Sequence, residues 1–380
     1  MKTKLNINKN YLYLLVLFYV CSITSIYSFS SFLYSNVFTL VIRQTCFYVF
    51  GFILILLIQK IGFDKILKYS IHIYLINIFL LLLVLFIGEE INGIKAWFTI
   101  PFFGSFQPSE FMKIPLVLLI AKIISNDIKH NKSEFLLIIK VIIVILIPSL
   151  ITFLEPDTGA VIIYLVIGFI MLFTSGISYK WFVLLGIVIL LLSGSFFYLY
   201  LFNTDLFINI FGSNFFYRFD RILDWQNSSG MQLTNSLIAI SSSGYFGNGI
   251  SNILLYFPEG HTDFIFASFS SIFGLFGIFI LITSIVFFDL LIIKTAKKSR
   301  NNINKLICTG FLGVFIYQQI QNICMTVGIL PITGITLPFI SYGGSSLISF
   351  MIILGIIMAI DSKKKLNWNK KTSNASFKLF

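Results

Sequence analysis

The sequence predicts an all-α, polytopic integral membrane protein, and three observations carry that prediction. Of the 380 residues, 57% are hydrophobic and 11% are charged, against about 25% charged in an ordinary soluble domain. Mean hydropathy is +0.94. The apolar residues fall in continuous runs such as Ile53–Ile58 and Val141–Ile147, where a membrane barrel strand would alternate apolar with polar. A soluble enzyme, a disordered chain and a single-pass anchor are excluded together.

Ten apolar segments are read as spans, at about 11–29, 37–58, 71–88, 110–125, 136–154, 159–175, 180–201, 263–293, 306–328 and 341–361, most of them near the ~20 residues that cross a bilayer. The first follows Lys2, Lys4 and Lys9, as a signal peptide would. It is too long for a signal h-region and lacks a clean small-x-small cleavage site, so it is kept as a membrane helix. With the N-terminus inside, all 27 basic residues except Arg43, Lys95, Lys113, Arg218 and Arg221 fall on the inner side. The positive-inside rule is then met at every inner loop. The net charge of +12 is thus an orientation signal, and a nucleic-acid partner is not expected. A single membrane domain is predicted, with a large outer loop at 202–262 and a basic cytoplasmic tail at 362–380 that touches anionic membrane lipid. Cys21, Cys46, Cys308 and Cys324 have no CxxC spacing and read as free thiols. No metal-ligand cluster is evident.

The exceptions to the charge rule carry the functional information. Three of the four arginines lie on the outer side, and arginine holds phosphate in a planar fork that lysine lacks. Arg218 and Arg221, spaced i, i+3, would share one helix face, either as a snorkelling pair balanced by Asp220 and Asp224 or as a clamp for an anionic headgroup. Arg43 sits near the outer end of the second span, where an ionisable group is costly. Gln107-Pro-Ser-Glu110 reads as a helix start, with Glu110 and Lys113 paired just inside the span. Trp97 reads as a belt aromatic or a site residue, in an outer loop that runs from Glu89 to Gln107. In Tyr256–Phe266, Pro258 and Gly260 break the chain and Thr262 is a plausible N-cap. Asp263 would then fall in the first turn of the next span, either stabilising that helix end or acting in chemistry. His72 and His130 look incidental.

Taken together, these segments resemble the SEDS family (shape, elongation, division and sporulation), the bacterial RodA, FtsW and SpoVE proteins. The resemblance rests on Asn92-Gly-Ile-Lys-Ala-Trp97, Phe106-Gln-Pro-Ser-Glu-Phe-Met-Lys113, Glu155-Pro-Asp-Thr-Gly159, Gln232 through Ile240, Pro258-Glu-Gly-His-Thr-Asp-Phe-Ile-Phe266 and Leu330 through Ser346. The pieces occur in the family's order over most of the chain. It implies a ten-span protein of the plasma membrane that polymerises lipid II into glycan strands on the outer face. A class B penicillin-binding protein is the implied partner. Asp263 matches the essential aspartate and Trp97 the essential tryptophan, while Arg43, Glu110, Lys113, Arg218, Arg221 and His261 match positions of the cavity, polar loops and motifs. The short segments outside the first and last spans lean the reading towards the elongation member, RodA.

Ala96 replaces a common arginine, Ser241-Ser-Ser-Gly244 a glycine-richer turn, and Ser271-Ile272 a usual pair of glutamates. The last change leaves a divalent cation as an open question, and the cofactor is unassigned. Two rivals remain at this level. A lipid II flippase would use the same intramembrane charges, but polar groups cluster at the outer end, where a transporter places its site near the midplane. A scaffold for the penicillin-binding protein leaves Asp263 and the polar loop unexplained.

Overall fold

In the computed structural model, the described residues are 8–31, 37–91, 94–100, 104–130, 133–213, 216, 231–250, 256–299 and 301–376. Arg218 and Arg221 lie outside them. Every apolar segment of the sequence forms a helix, because in hydrocarbon a backbone can pair all its N–H and C=O groups only within a helix or a closed barrel.

The helices run α1 (Lys9–Ser31), α2 (Val37–Ile61), the short α3 (Phe63–Lys68) and α4 (Ser70–Ile87). Three strands follow, β1 (Glu89–Ile91), β2 (Ile94–Ile100) and β3 (Gly104–Phe106). Then come α5 (Pro108–Lys129), α6 (Glu134–Leu154), α7 (Thr158–Thr174), α8 (Tyr179–Phe202), α9 (Thr204–Phe211) and α10 (Met231–Ser241). The chain ends with α11 (Ile265–Lys298), α12 (Asn302–Thr326) and α13 (Gly344–Ser376). Among the described residues, seven helices are long and apolar enough to cross a membrane: α1, α2, α4, α6, α8, α11 and residues 344–362 of α13. The apolar α7 is shorter, at 17 residues. α5 and α12 carry more polar residues because they line the interior, with Lys113 and Asp127 buried on α5 and Gln318, Gln319, Gln321 and Asn322 buried on α12.

α2 lies along α13, and the two approach closely at Gly51, against Met351, and at Gly355, against Ile55 and Ile58. Small residues at such crossings let membrane helices gain dispersion contacts. α5 packs against α4, α6, α7 and α12, and its face from Met112 to Ala121 is almost wholly buried. A ring cluster of Phe18, Phe288, Phe315, Phe339 and Phe350 fills the centre. α8 buries no side chain. It presents Leu190, Leu191 and Leu192 outward, a surface only lipid tolerates.

The start of α1 meets α13 and α11 at one end of the bundle. Asn8 Nδ2 donates to Asp361 Oδ2 at 3.1 Å, and Tyr11 and Thr295 share a hydrogen bond of 3.1 Å. The first turns of α5, α7, α11 and α13 lie at the other.

Two expectations change. The segment from Glu89 to Gln107, read as a loop, is an antiparallel sheet of order β1-β2-β3. Glu89 pairs with Trp97, and a bulge separates Glu89 from Glu90; Phe98 pairs with Phe106. Alternation in Ile94–Ile100 is weak, so the strand signal is hidden. The next span begins at Ile265, with Phe264 at the N-cap position. Thr262 does not cap it, lying two residues before that position, and its hydroxyl donates to Glu259 Oε2 at 2.6 Å.

α11 is broken at Gly274, whose φ is 62° and ψ −162°. The segment 244–249 plugs the break: Asn248 N donates to Ser271 O at 2.9 Å, and Leu275 N donates to Gly244 O at 3.0 Å. A Cβ on Gly247 would lie 2.1 Å from Ile272 O, and one on Gly274 would lie 2.3 Å from Gly247 N. Gly247→Ala should therefore lower stability by about 1–3 kcal/mol, seen as a lower Tm in detergent. A nearby exposed glycine, Gly249→Ala, has only its positive φ to strain and should cost less.

Candidate active site

A cleft of about 550 Å³ opens where the first turns of α5, α7 and α13 meet the turn that precedes α11. Of the residues singled out in the sequence, Arg43, Trp97, Glu110, Lys113 and Asp263 line it together, joined by Asp157, Glu259 and Gln318. His261 does not line it. Its ring packs on Phe29 and Tyr342, and burial lowers its pKa.

Asp263 stands in the tight turn 258–264, one residue before the N-cap. Ser268 Oγ donates to Gly260 O at 2.6 Å, Gln232 Nε2 to Pro258 O at 3.1 Å, and Ser341 Oγ to Thr262 O at 2.7 Å. Asn322 makes the central tie. Its Nδ2 donates to Asp263 O and to Ile335 O, each at 2.7 Å, so one amide on α12 joins the two irregular segments that frame the cleft. Tyr342 N adds a bond to His261 O at 3.0 Å.

The Asp263 side chain caps nothing. Among the described residues its carboxylate accepts no hydrogen bond, and Oδ2 is 3.5 Å from the position a Cβ on Gly334 would take. Burial, then the nearby carboxylates of Glu259 and Glu110, push its pKa up to about 8. It is a bare carboxyl facing open space.

The cleft also carries cations. Lys113 is 1% exposed, ion-paired with Glu110, and stands 4.7 Å from the Phe350 ring centroid. Arg43, exposed at the rim, is the charge that acts on the Tyr342 hydroxyl. Asp157 accepts from Ala160 N, Gln107 Nε2 and Ser109 Oγ, all at 3.0 Å. It thereby caps α7 and fixes the α5 start. Burial raises its pKa against those bonds. The sheet is pinned over the cleft through Ser345, whose Oγ donates to Ser105 O at 2.8 Å and accepts from Gln107 N at 3.0 Å. That bond places β2, and so Trp97, as a half-buried ring on the cleft wall. Among the described residues, no group of three or more His, Cys, Asp or Glu is placed to hold a metal ion.

Sequence reasoning did not single out Asn322, Glu259 or the chemistry of Glu155. Polar residues in an apolar helix were the signal for Asn322. Glu155 is fully buried, and both its oxygens lack a hydrogen-bond partner among the described residues.

Fold and cleft together define a multi-pass membrane protein with a carboxylate- and cation-lined cleft at one end of its bundle. Residues 6–366 match the model of the FtsW/RodA/SpoVE cell cycle proteins, and the chain belongs to that family. It is 33% identical over 350 residues to the probable peptidoglycan glycosyltransferase FtsW of Buchnera aphidicola subsp. Schizaphis graminum, covering 88% of this chain and 94% of that one. It is likewise 33% identical to the protein of that name from Bacillus subtilis, over 80% of this chain and 76% of that one. A solved structure described as a peptidoglycan synthase complex that coordinates polymerization and crosslinking superposes with a TM-score of 0.77, at 24% identity, over 95% of this chain and 99% of that chain. The rod-shape-determining protein RodA of Thermus thermophilus gives 0.69 at 23%, over 94% and 97%. The narrower leaning towards RodA gains no support from relatives that carry the FtsW name.

The buried Glu155 generates a pH prediction. Burial, and then Asp157, raise its pKa from 4.5 to about 8. Between those values the folded protein keeps a proton that the unfolded chain has lost, so stability falls as pH rises through that window. Tm measured from about pH 5 to 8 should decline in the native protein, and Glu155→Gln, which cannot ionise, should flatten the decline.

Proposed function

We propose that this protein is a peptidoglycan glycosyltransferase that polymerises lipid II, with Asp263 as the general base. Support for the activity comes from relatives named for it at 33% identity over most of the chain. The single observation that carries the residue assignment is the bare, uncapped Asp263 carboxylate, in one cleft with Lys113 and Arg43. In the step itself, the Asp263 carboxylate takes the proton of an acceptor sugar hydroxyl. The hydroxyl oxygen bonds to the donor's anomeric carbon, and the bond from that carbon to the lipid diphosphate breaks, the diphosphate leaving with the electron pair. Arg43 and Lys113 offset its growing charge, as leaving-group stabilisation requires. Trp97 packs against a sugar face or the lipid.

The orientation goes with this reading: ten crossings, both termini cytoplasmic, and the cleft at the outer face of the plasma membrane. The inner clustering of lysines supports it, as does the junction of Asn8 with Asp361. A penicillin-binding protein that cross-links the product is the proposed partner, by analogy with the synthase complex of the same fold. We assign the strands to division, on the FtsW name of the relatives. Depletion should then give filaments, and rounded cells would return the assignment to elongation.

Asp263→Asn preserves shape and removes the basic oxygen. Purified variant given labelled lipid II should lose polymer formation by at least about 10²-fold, with affinity for lipid II little changed. The native rate should rise with pH towards a plateau above about pH 8, since only the ionised carboxylate accepts a proton. Near-normal polymer from the variant would overturn the assignment. A flippase predicts that neither protein polymerises and that both move lipid II in liposomes; a scaffold predicts neither activity. For orientation, a cysteine at Thr204, in a background without native cysteines, should react with an impermeant thiol reagent on intact cells. One at Ser299 should not.

A further inference from the structure

The opposite end of the bundle holds a second cavity, of about 560 Å³, between the inner ends of α4, α5, α6 and α12. From it we infer a binding site for an anionic phospholipid of the membrane leaflet on that side, recognised by its phosphate headgroup. The reaction proposed for the cleft uses none of these residues. The inference rests on the orientation above only for which leaflet supplies the lipid.

Two features of the cavity point to an amphiphile. Its charged part is cationic, with Lys122, Lys129 and Lys140 against the single carboxylate of Asp127. That carboxylate is already engaged, since Lys140 Nζ lies 2.6 Å from Asp127 Oδ2 and Asp127 is 4% exposed. The pair locks α5 to α6 and fixes one wall, while Lys122 and Lys129 stay exposed. With the carboxylate spent on Lys140, nothing in the cavity is left to complement a choline or ethanolamine cation. An anionic headgroup is therefore preferred over a zwitterionic one.

The second feature is the polarity gradient along α5. Leu119 and Ile123 line the deeper part of the cavity along α5, while Ser125, Asn126 and Lys129 lie further along towards the helix end, level with Ile71 and Ile303 at the starts of α4 and α12. Leu119 to Lys129 spans about 15 Å at 1.5 Å per residue. A phosphate held among the lysines would thus continue into an acyl chain laid along Ile123 and Leu119. A neighbouring hollow of about 590 Å³ shares Ser125 and Lys129 and reaches Asn301 and Asn302 at the start of α12. It extends the polar end and leaves room for the glycerol of a headgroup. Basic pockets between membrane helices on the cytoplasmic side are a recurrent form of such sites.

The test is lipid retention by the purified full-length protein. Delipidated protein titrated with phosphatidylglycerol and read by native mass spectrometry should hold one lipid in preference to phosphatidylcholine. K122Q/K129Q, with unchanged Tm and elution, should weaken that affinity at least tenfold. K294Q/K297Q, which removes the same charge from the inner end of α11, should not. Equal weakening by both variants would mean diffuse surface attraction and would overturn the site, as would no weakening by either. Inorganic phosphate should compete only weakly, because it lacks the chain; phosphate binding without phosphatidylglycerol binding would overturn the lipid assignment. Each readout is independent of lipid II polymerisation, so a failure of the Asp263 reading leaves this result interpretable.

Discussion

Hydrocarbon offers no water to an unpaired peptide group, and that constraint governs every irregular stretch of this protein. Helices meet it alone, but the cleft is built from non-helical backbone at 258–264 and 329–343, set among the ends of helices. There, side chains take over the pairing. Gln44 reaches Ser341 O, Gln321 reaches Pro331 O, the Tyr48 hydroxyl donates to Phe339 O, and Asn322 serves Asp263 O and Ile335 O. Each is a neutral amide or hydroxyl on a spanning helix, and each lost bond would strand a buried carbonyl at a cost of about 1–3 kcal/mol. The buried polar side chains of α2 and α12 are therefore part of what makes the cleft possible.

The same shortage of water sets the cleft's electrostatics. Glu110, Asp157, Glu259 and Asp263 face only Lys113 and Arg43 among the lining charges. Full ionisation would leave an excess of negative charge, so burial and mutual repulsion raise Asp157 and Asp263. For a general base this is a trade: a higher pKa makes a stronger proton acceptor and a smaller ionised fraction, and the balance is best near the working pH. An arriving diphosphate would tilt the balance further towards protonation unless Lys113 and Arg43 neutralise it. Cations and base thus have to be considered together.

Much of this was legible in the residues. The helices followed from apolar runs and lysine placement. The Glu110–Lys113 pair and the α5 start at Pro108 followed from i, i+3 spacing and a proline at N1. The β-sheet did not, because a short strand at a membrane surface lacks the alternation that a half-buried sheet imposes. Thr262 was misread for a related reason. A threonine after a Pro-Glu-Gly turn suits a cap, but here its hydroxyl donates back into the turn, to Glu259, and the helix N-cap falls two residues later, at Phe264. Asn322 showed locally only as one more polar residue in an apolar helix, since its importance lies in carbonyls 59 and 13 residues away.

The plugged break in α11 has a consequence for how the gene can change. Glycine is fixed by the first two bases of its codon, so nearly every change there puts a side chain on the backbone. At Gly274 that side chain would meet the Gly247 amide, and at Gly247 the Ile272 carbonyl. Because each collision is with main chain, no compensating replacement of a neighbouring side chain can make room. Any change at these two codons other than at the silent third base therefore carries a cost that no neighbouring side chain can relieve.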